Sequence, residues 1–337
     1  LSGIISGGGN PTLARARKTE DCLEQLHRLR GGLPSPEAAE ELRAFLGHQS
    51  NLVVAKAAQL TREFELHDLR TDLVRAFDRF MQDPAKTDRG SSAKTEVVRA
   101  LESLGAPEGA LFLTGIRHVQ MEGSFGPPID TAAGLRAASA MGLVHMNHPD
   151  AILEIVSLLV DREADARVGA VRALGWSGRP ESVPLLRLKA LEPEPSVDVM
   201  GECFTALLAI APGSSVDFVA RNLNSPDAAV VEAAALALGE SHLPAAVEAL
   251  INKWGVYAAG TLRSALVAGL ALARTDIAFE FLFSRIETAN EKVGFEIVSA
   301  LAVYRHDDRI RTRLSALVES RPNKTLQDAF NAAFARS

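Results

Sequence analysis

Cysteine is nearly absent: Cys22 and Cys203 stand far apart in 337 residues. Two such residues cannot build a disulfide framework of the secreted kind, which points to a reducing, cytoplasmic setting. Aromatic residues make up only 5% of the chain, which suits small, tightly packed helices better than a sandwich or barrel. No apolar run approaches the roughly 18 to 20 residues of a membrane span. The net charge of −6 gives no general pull on nucleic acid or anionic membrane, and few aromatics are on hand to stack on bases, so a nucleic-acid partner is not expected. Recognisable catalytic motifs are also missing. There is no Gly-x-Ser-x-Gly elbow, and Gly7 to Gly9 run into Asn10 and Pro11 rather than into Gly-Lys-Ser. The opening LSGIISGGGN has no basic n-region and no long apolar h-region, so it does not read as a signal peptide, although a mature form after signal cleavage would look the same. Its glycines predict a flexible segment over residues 1–11.

What is present is alanine at helical spacing. From Asp161 to Leu191 the chain reads as two short amphipathic helices. In the first, Val168, Val171 and Leu174 share a face, with Arg167 and Arg172 off it, Asp165 as N-cap, and Gly175 and Gly178 as the stop. Ser182 then caps a second helix with Val183, Leu185, Leu186, Leu188 and Leu191 as its apolar stripe. A pair this short cannot bury its own apolar surface, and versions of it recur. The first residues of the helix that follows each Ala-rich one fall at Leu69, Ala110, Ala151, Val183, Val216, Val247, Ile277 and Ile310, spaced by about 41 residues twice and by about 30 to 33 thereafter. The pattern predicts an all-α solenoid, a right-handed superhelix of about eight tandem antiparallel helix pairs, as one domain over 12–337. Its N-terminal units are atypical, Ser35, Pro36 and Glu37 mark a strong helix start, and a helix from Arg321 onward would cap the end.

The segments DREADARVGAVRALGWSGRPESVPLL and NSPDAAVVEAAALALGESHLPAAVEAL resemble HEAT repeats, most of all the short, Ala- and Gly-rich kind also seen in bilin lyases. The resemblance implies an Asp before, and an Arg near the start of, the second helix of each unit, tying neighbouring repeats together. Asp161 with Arg167 matches it, and Asp88 with Lys94 matches approximately. Asp198 with Met200 and Asp227 with Ala228 depart from it. The helical-repeat iron hydroxylases carry adjacent His-Glu pairs, and this sequence has none. The resemblance informs fold well and function poorly, since the repeat serves many tasks.

Two stretches interrupt the period. Asp83 to Ser92 is irregular, and between Arg117 and Thr131 the run RHVQMEGSFGPPIDT must leave the helix at Gly123, Gly126, Pro127 and Pro128. Loops longer than packing requires are where binding resides, so Arg117, Glu122 and Phe125 are candidate contacts. Arg99, Arg136 and Arg172 recur about 36 to 37 residues apart on successive Ala-rich helices, and stacking would align them as a row of guanidinium groups able to hold an acidic peptide or protein. The pairs His118 with Glu122 and His145 with His148 have helical ligand spacing, but two residues in separate units do not make a metal site, and neither metal nor cofactor is expected. The sequence thus predicts a protein- or peptide-binding scaffold that uses the concave face of its solenoid and is not an enzyme. The alternative is a bilin-lyase-like or other small-ligand-handling enzyme with a pocket near residues 117–131.

Overall fold

A computed structural model describes residues 11–257, 260–288, 290–321 and 323–334. The flexible segment expected over 1–11 lies, apart from Pro11, outside them. The chain divides into two compact units, Leu1–Ser177 and Gly178–Ser337.

The first unit holds α1 (Pro11–Leu29), α2 (Pro36–Leu46), α3 (Asn51–Glu63), α4 (Arg70–Met81), the single turn α5 (Pro84–Thr87), α6 (Ser92–Ser103), α7 (Gly109–Ile116), α8 (Ala133–His145), α9 (Ala151–Val156) and α10 (Ala164–Ser177). A hairpin joins β1 (Met121–Glu122) to β2 (Ile129–Asp130), with Met121 opposite Asp130 and Glu122 opposite Ile129. Helix α2 starts as expected: Pro36 is its first residue and the Ser35 hydroxyl accepts the Ala38 N–H at 3.3 Å. Helices α3, α6, α8 and α10 pack one on the next as an Ala-rich layer, and α4, α7 and α9 flank it.

Small residues set how closely that layer packs. A Cβ added at Gly169 of α10 would sit 2.2 Å from the Ala137 Cβ of α8, so the two backbones meet where no side chain fits between them. The core is largely aliphatic, with Val53, Val54, Val97, Val98, Leu101, Leu135, Leu143, Val171 and Leu174 buried beside Phe77, Phe80 and Phe112.

The second unit repeats the scheme with α11 (Ser182–Leu191), α12 (Val197–Ile210), α13 (Pro212–Ala220), α14 (Ala228–Glu240), α15 (Pro244–Tyr257), α16 (Gly260–Leu272), α17 (Asp276–Thr288), α18 (Glu291–Leu301), α19 (Asp308–Glu319) and α20 (Lys324–Phe334). Here α12, α14, α16 and α18 form the Ala-rich layer, α13, α15, α17 and α19 flank it, and α20 packs on α18 and α19.

Taken in chain order, the pairs α3–α4, α6–α7 and α8–α9 of the first unit and α12–α13, α14–α15, α16–α17 and α18–α19 of the second fall as expected, α10 and α11 follow one another at the division between units, and every landmark falls at or within a few residues of a helix start. The protein is an all-α solenoid.

Local readings within Asp161–Leu191 need correction. Helix α10 runs through Gly175 and stops before Gly178, whose φ is +60°. Asp165 lies in the first turn of α10 rather than at its cap, and Asp161 Oδ1 accepts the Glu163 N–H at 2.9 Å instead. Ser182 is the first helical residue, preceded by Glu181 at the cap position. Arg167, placed off the apolar face, is buried. On α11 only Leu186 of the stripe is buried, while Leu188 and Leu191 are exposed.

Candidate functional site

Three helices of the Ala-rich layer follow the same rule, an aspartate six residues ahead of a cation: Asp88 and Lys94, Asp130 and Arg136, Asp161 and Arg167. Each carboxylate caps the backbone of its own helix start. Asp88 accepts the N–H groups of Ala93 and Lys94 at 2.9 and 3.0 Å, and Asp130 accepts that of Ala132 at 3.0 Å. The cations then link elements. Lys94 is fully buried, 3.2 Å from Asp88 and 2.8 Å from the Gln120 Oε1. Burial pushes its pKa down, and the Asp88 charge opposes that shift.

Arg136 does not stand in an outward row. It is 2% exposed, its Nε and Nη2 donate to both oxygens of Asp161 at 2.9 Å, and its Nη1 donates to the His118 carbonyl at 2.9 Å and lies 2.7 Å from Asp130. The six-residue spacing explains why. Counted from the ladder positions Lys94, Arg136 and Arg167, the residues five further on are Arg99, Met141 and Arg172. Arg99 and Arg172 share a register and are exposed, with a half-buried Met141 between them.

Both irregular stretches converge on one carboxylate. Glu122 Oε1 accepts the Gly90 N–H at 2.7 Å, the Thr131 hydroxyl at 2.8 Å and the Gln120 Nε2–H at 2.6 Å. Gly90 presents its N–H there from φ +74°, a backbone state that a side chain would strain. Gln120 is the hub: beyond Lys94 and Glu122, its Nε2 donates to the Asp88 carbonyl at 2.8 Å and its N–H to Asp130 Oδ1 at 3.0 Å. Burial by itself would raise the Glu122 and Asp130 carboxyls. The donors around Glu122 with the Arg89 charge, and the Ala132 and Gln120 N–H groups with Arg136 around Asp130, outweigh it and hold both below their ordinary values.

His118 and Glu122 are not four apart on a helix, since α7 ends at Ile116. His118 lies 3.3 Å from the Gln120 Oε1, and burial pushes its pKa down. His145 pairs with Glu102 and sets its ring edge-on to Trp176 at 4.5 Å, while His148 Nδ1 accepts the Asp150 N–H at 3.2 Å. Among the described residues no group of three or more His, Cys, Asp or Glu side chains could hold a metal.

Arg117 is exposed and forms a two-pronged pair with Glu154. Phe125 is fully exposed at the hairpin tip, whose turn is closed by Ser124: its hydroxyl donates to the Pro127 carbonyl at 2.7 Å and accepts the Gly126 N–H at 3.1 Å.

Beside the hairpin base lies an open groove of about 540 Å³. Leu23, Leu52 and Ala55 form an apolar wall, Gly90 and Thr131 bring in the two loops, and Lys56, Glu96 and Arg99 supply charge. Glu96 is already engaged, 2.6 Å from Arg99 and 3.8 Å from Arg62, whereas among the described residues Lys56 has the Gln59 amide at 3.5 Å. Two cations of the lining, Lys56 and Arg99, therefore face one carboxylate, which Arg62 also approaches. Of the side chains singled out from the sequence, only Arg99 lines this groove; Glu122 acts behind its wall, Arg117 and Phe125 lie on the loop, and Lys56, Gly90 and Thr131 were missed. The matching spacing of Asp130 to Arg136 was the legible signal that Arg136 belongs to the ladder.

Residues 130–187 match the family of HEAT repeats. No curated protein matches the sequence. Solved structures similar to the chain include the complex of CpcE and CpcF of phycocyanin lyase from Nostoc sp., at 14% identity over 76% of this chain and 94% of that one, with a TM-score of 0.38. Human deoxyhypusine hydroxylase in complex with glycerol aligns at 20% identity over 79% and 96%, with a TM-score of 0.32. An engineered protein aligns at 16% over 88% and 87%, with a TM-score of 0.35. The expectation that the chain is not an enzyme is corrected here, because a lyase and a hydroxylase stand among these structures. A missing motif does not separate catalytic from non-catalytic proteins of this kind, and the likeness assigns no activity to this chain.

Proposed function

With HEAT repeats established over residues 130–187 and helix pairs continuing along the chain to either side, we propose that the groove of the first unit binds a segment of another protein. The observation that carries this reading is the groove's charge: Lys56 and Arg99 against Glu96, with Arg62 3.8 Å from the same carboxylate, on a chain whose net charge is −6. Such a local excess attracts carboxylates and steers their approach. Leu23, Leu52 and Ala55 offer apolar contact beside it. Arg172, in register with Arg99, extends the candidate surface along the layer; Arg136 does not belong to it. The test is the double charge reversal Lys56→Glu/Arg99→Glu in the full chain. Affinity for an acidic peptide selected on the unaltered protein is expected to fall about tenfold or more, and an unchanged affinity would sink the reading.

One observation favours a second reading. The groove volume lies within the range of small-molecule pockets, about 300 to 1,000 Å³, and Thr131 sets its wall at the base of the 117–131 loop. A small organic ligand handled there would be displaced by the selected peptide, with both losing affinity when Thr131 is replaced by a bulky Trp. A peptide whose binding no small molecule in a fragment screen displaces would count against this second reading.

A further inference from the structure

We infer that the groove and the 117–131 hairpin form one continuous docking track, and that the partner segment it fits carries carboxylates next to a run of apolar side chains. This rests on the groove reading above and adds the hairpin to it.

The first ground is mechanical. A single carboxylate oxygen, Glu122 Oε1, holds both the Gly90 N–H and the Thr131 hydroxyl, and both of those residues line the groove. Glu122 itself belongs to β1, so the groove wall and the hairpin are tied at one point. Behind it, Gln120 and Asp130 fasten the hairpin to the buried Lys94 and Arg136. The hairpin base is thus fixed by the same network that spaces the helices.

The second ground is chemical. Val119, Met121, Phe125 and Ile129 are all exposed within this short loop. Soluble proteins scatter such side chains singly, and a cluster marks an interaction site. Ser124 ties the tip through Pro127 and Gly126, and such a restraint lowers the conformational cost of binding. Ile129 lies two residues along the chain from the groove-lining Thr131, which brings exposed apolar surface near the groove's edge.

A protein segment suits this track better than an anionic membrane does. The cations flanking the hairpin already have partners: Arg117 faces Glu154, Lys86 lies 3.2 Å from Asp83, and Arg89 lies 3.9 Å from Glu122. The excess positive charge sits in the groove, a recess fit for a chain rather than for a flat lipid surface.

The test is selection on the full chain from a display library of random peptides of roughly 16 residues, which span about 50 Å when extended. Enriched sequences are expected to join an acidic run to an aromatic or aliphatic run. Remade with a fluorescent label, they should bind about tenfold more weakly to Lys56→Glu/Arg99→Glu and, independently, about tenfold more weakly to Met121→Ser/Phe125→Ser, with circular dichroism unchanged in both variants. If only the groove variant loses affinity, the hairpin is no part of the track and the inference is overturned while the groove reading stands. If the groove variant keeps full affinity, or nothing is enriched, both fall. Cosedimentation of the chain with phosphatidylserine vesicles that Phe125→Ser abolishes would assign the hairpin to a membrane and likewise overturn the inference.

Discussion

Arg99 and Arg136 carry the same charge and differ in their access to water. Arg136 is enclosed by Asp130, Asp161 and the His118 carbonyl, so Arg136→Ala removes the cation shared by two half-buried carboxylates and is expected to cost about 3 kcal/mol, read as a lower urea midpoint. Arg99→Ala, on the surface, should stay within about 0.5 kcal/mol of the unaltered chain in the same measurement. Glu122 and Asp130 contribute to the acid dependence of the fold. Both are held below their ordinary values in the fold, so the stability they contribute is complete above about pH 4, the range of an unfolded carboxyl, and is lost as pH falls through their lower folded values. Glu122→Gln should destabilise the chain by about 1 to 3 kcal/mol at neutral pH and flatten its acid dependence. Equal slopes for the variant and the unaltered protein between about pH 4 and pH 2 would exclude Glu122 from that role.

Between elements, the Ala-rich layer depends on side chains that are missing as much as on those present. Gly169→Ala raises intrinsic helix propensity by about 1 kcal/mol, yet its new methyl would meet the Ala137 Cβ at 2.2 Å. Overpacking of that kind costs about 1 to 3 kcal/mol, so a net loss of thermal stability is expected, larger for Gly169→Val. At the other end, α20 buries Leu326 and Phe334, the former close to Gly294 of α18. Truncation after Arg321 uncovers α18, and size-exclusion chromatography should show self-association of the shortened chain. The sequence made these elements legible because helix starts, stops and apolar spacing are local. It misplaced Arg136, because two arginines at similar intervals cannot be told apart until the distance to each helix start is counted. The hairpin read only as an interruption, since the groups that fasten it, Gln120, Gly90 and Thr131, come from separate segments.

At the scale of the molecule, the net charge of −6 is felt only at long range, while Lys56 and Arg99 attract an acidic partner at contact in the groove. Binding of the selected peptide should therefore weaken as salt rises from about 0.01 to 0.15 M, where the Debye length shrinks from about 30 to about 8 Å. Constant affinity over that range would mean that apolar contacts alone hold the peptide. The sequence by itself determined the architecture: a repeat near 31 residues, small residues at contact positions and caps at the turns admit helix pairs that stack and little else, because these are short-range steric and hydrogen-bonding requirements. Only the tertiary structure decided which charges face water. Lys94 and Arg136 are interior and Lys56 and Arg99 are not, since burial depends on what the neighbouring repeat and the inserted hairpin bring alongside. For the same reason, only the folded chain could turn Glu122 from a supposed contact residue into the tie that holds two loops against one groove.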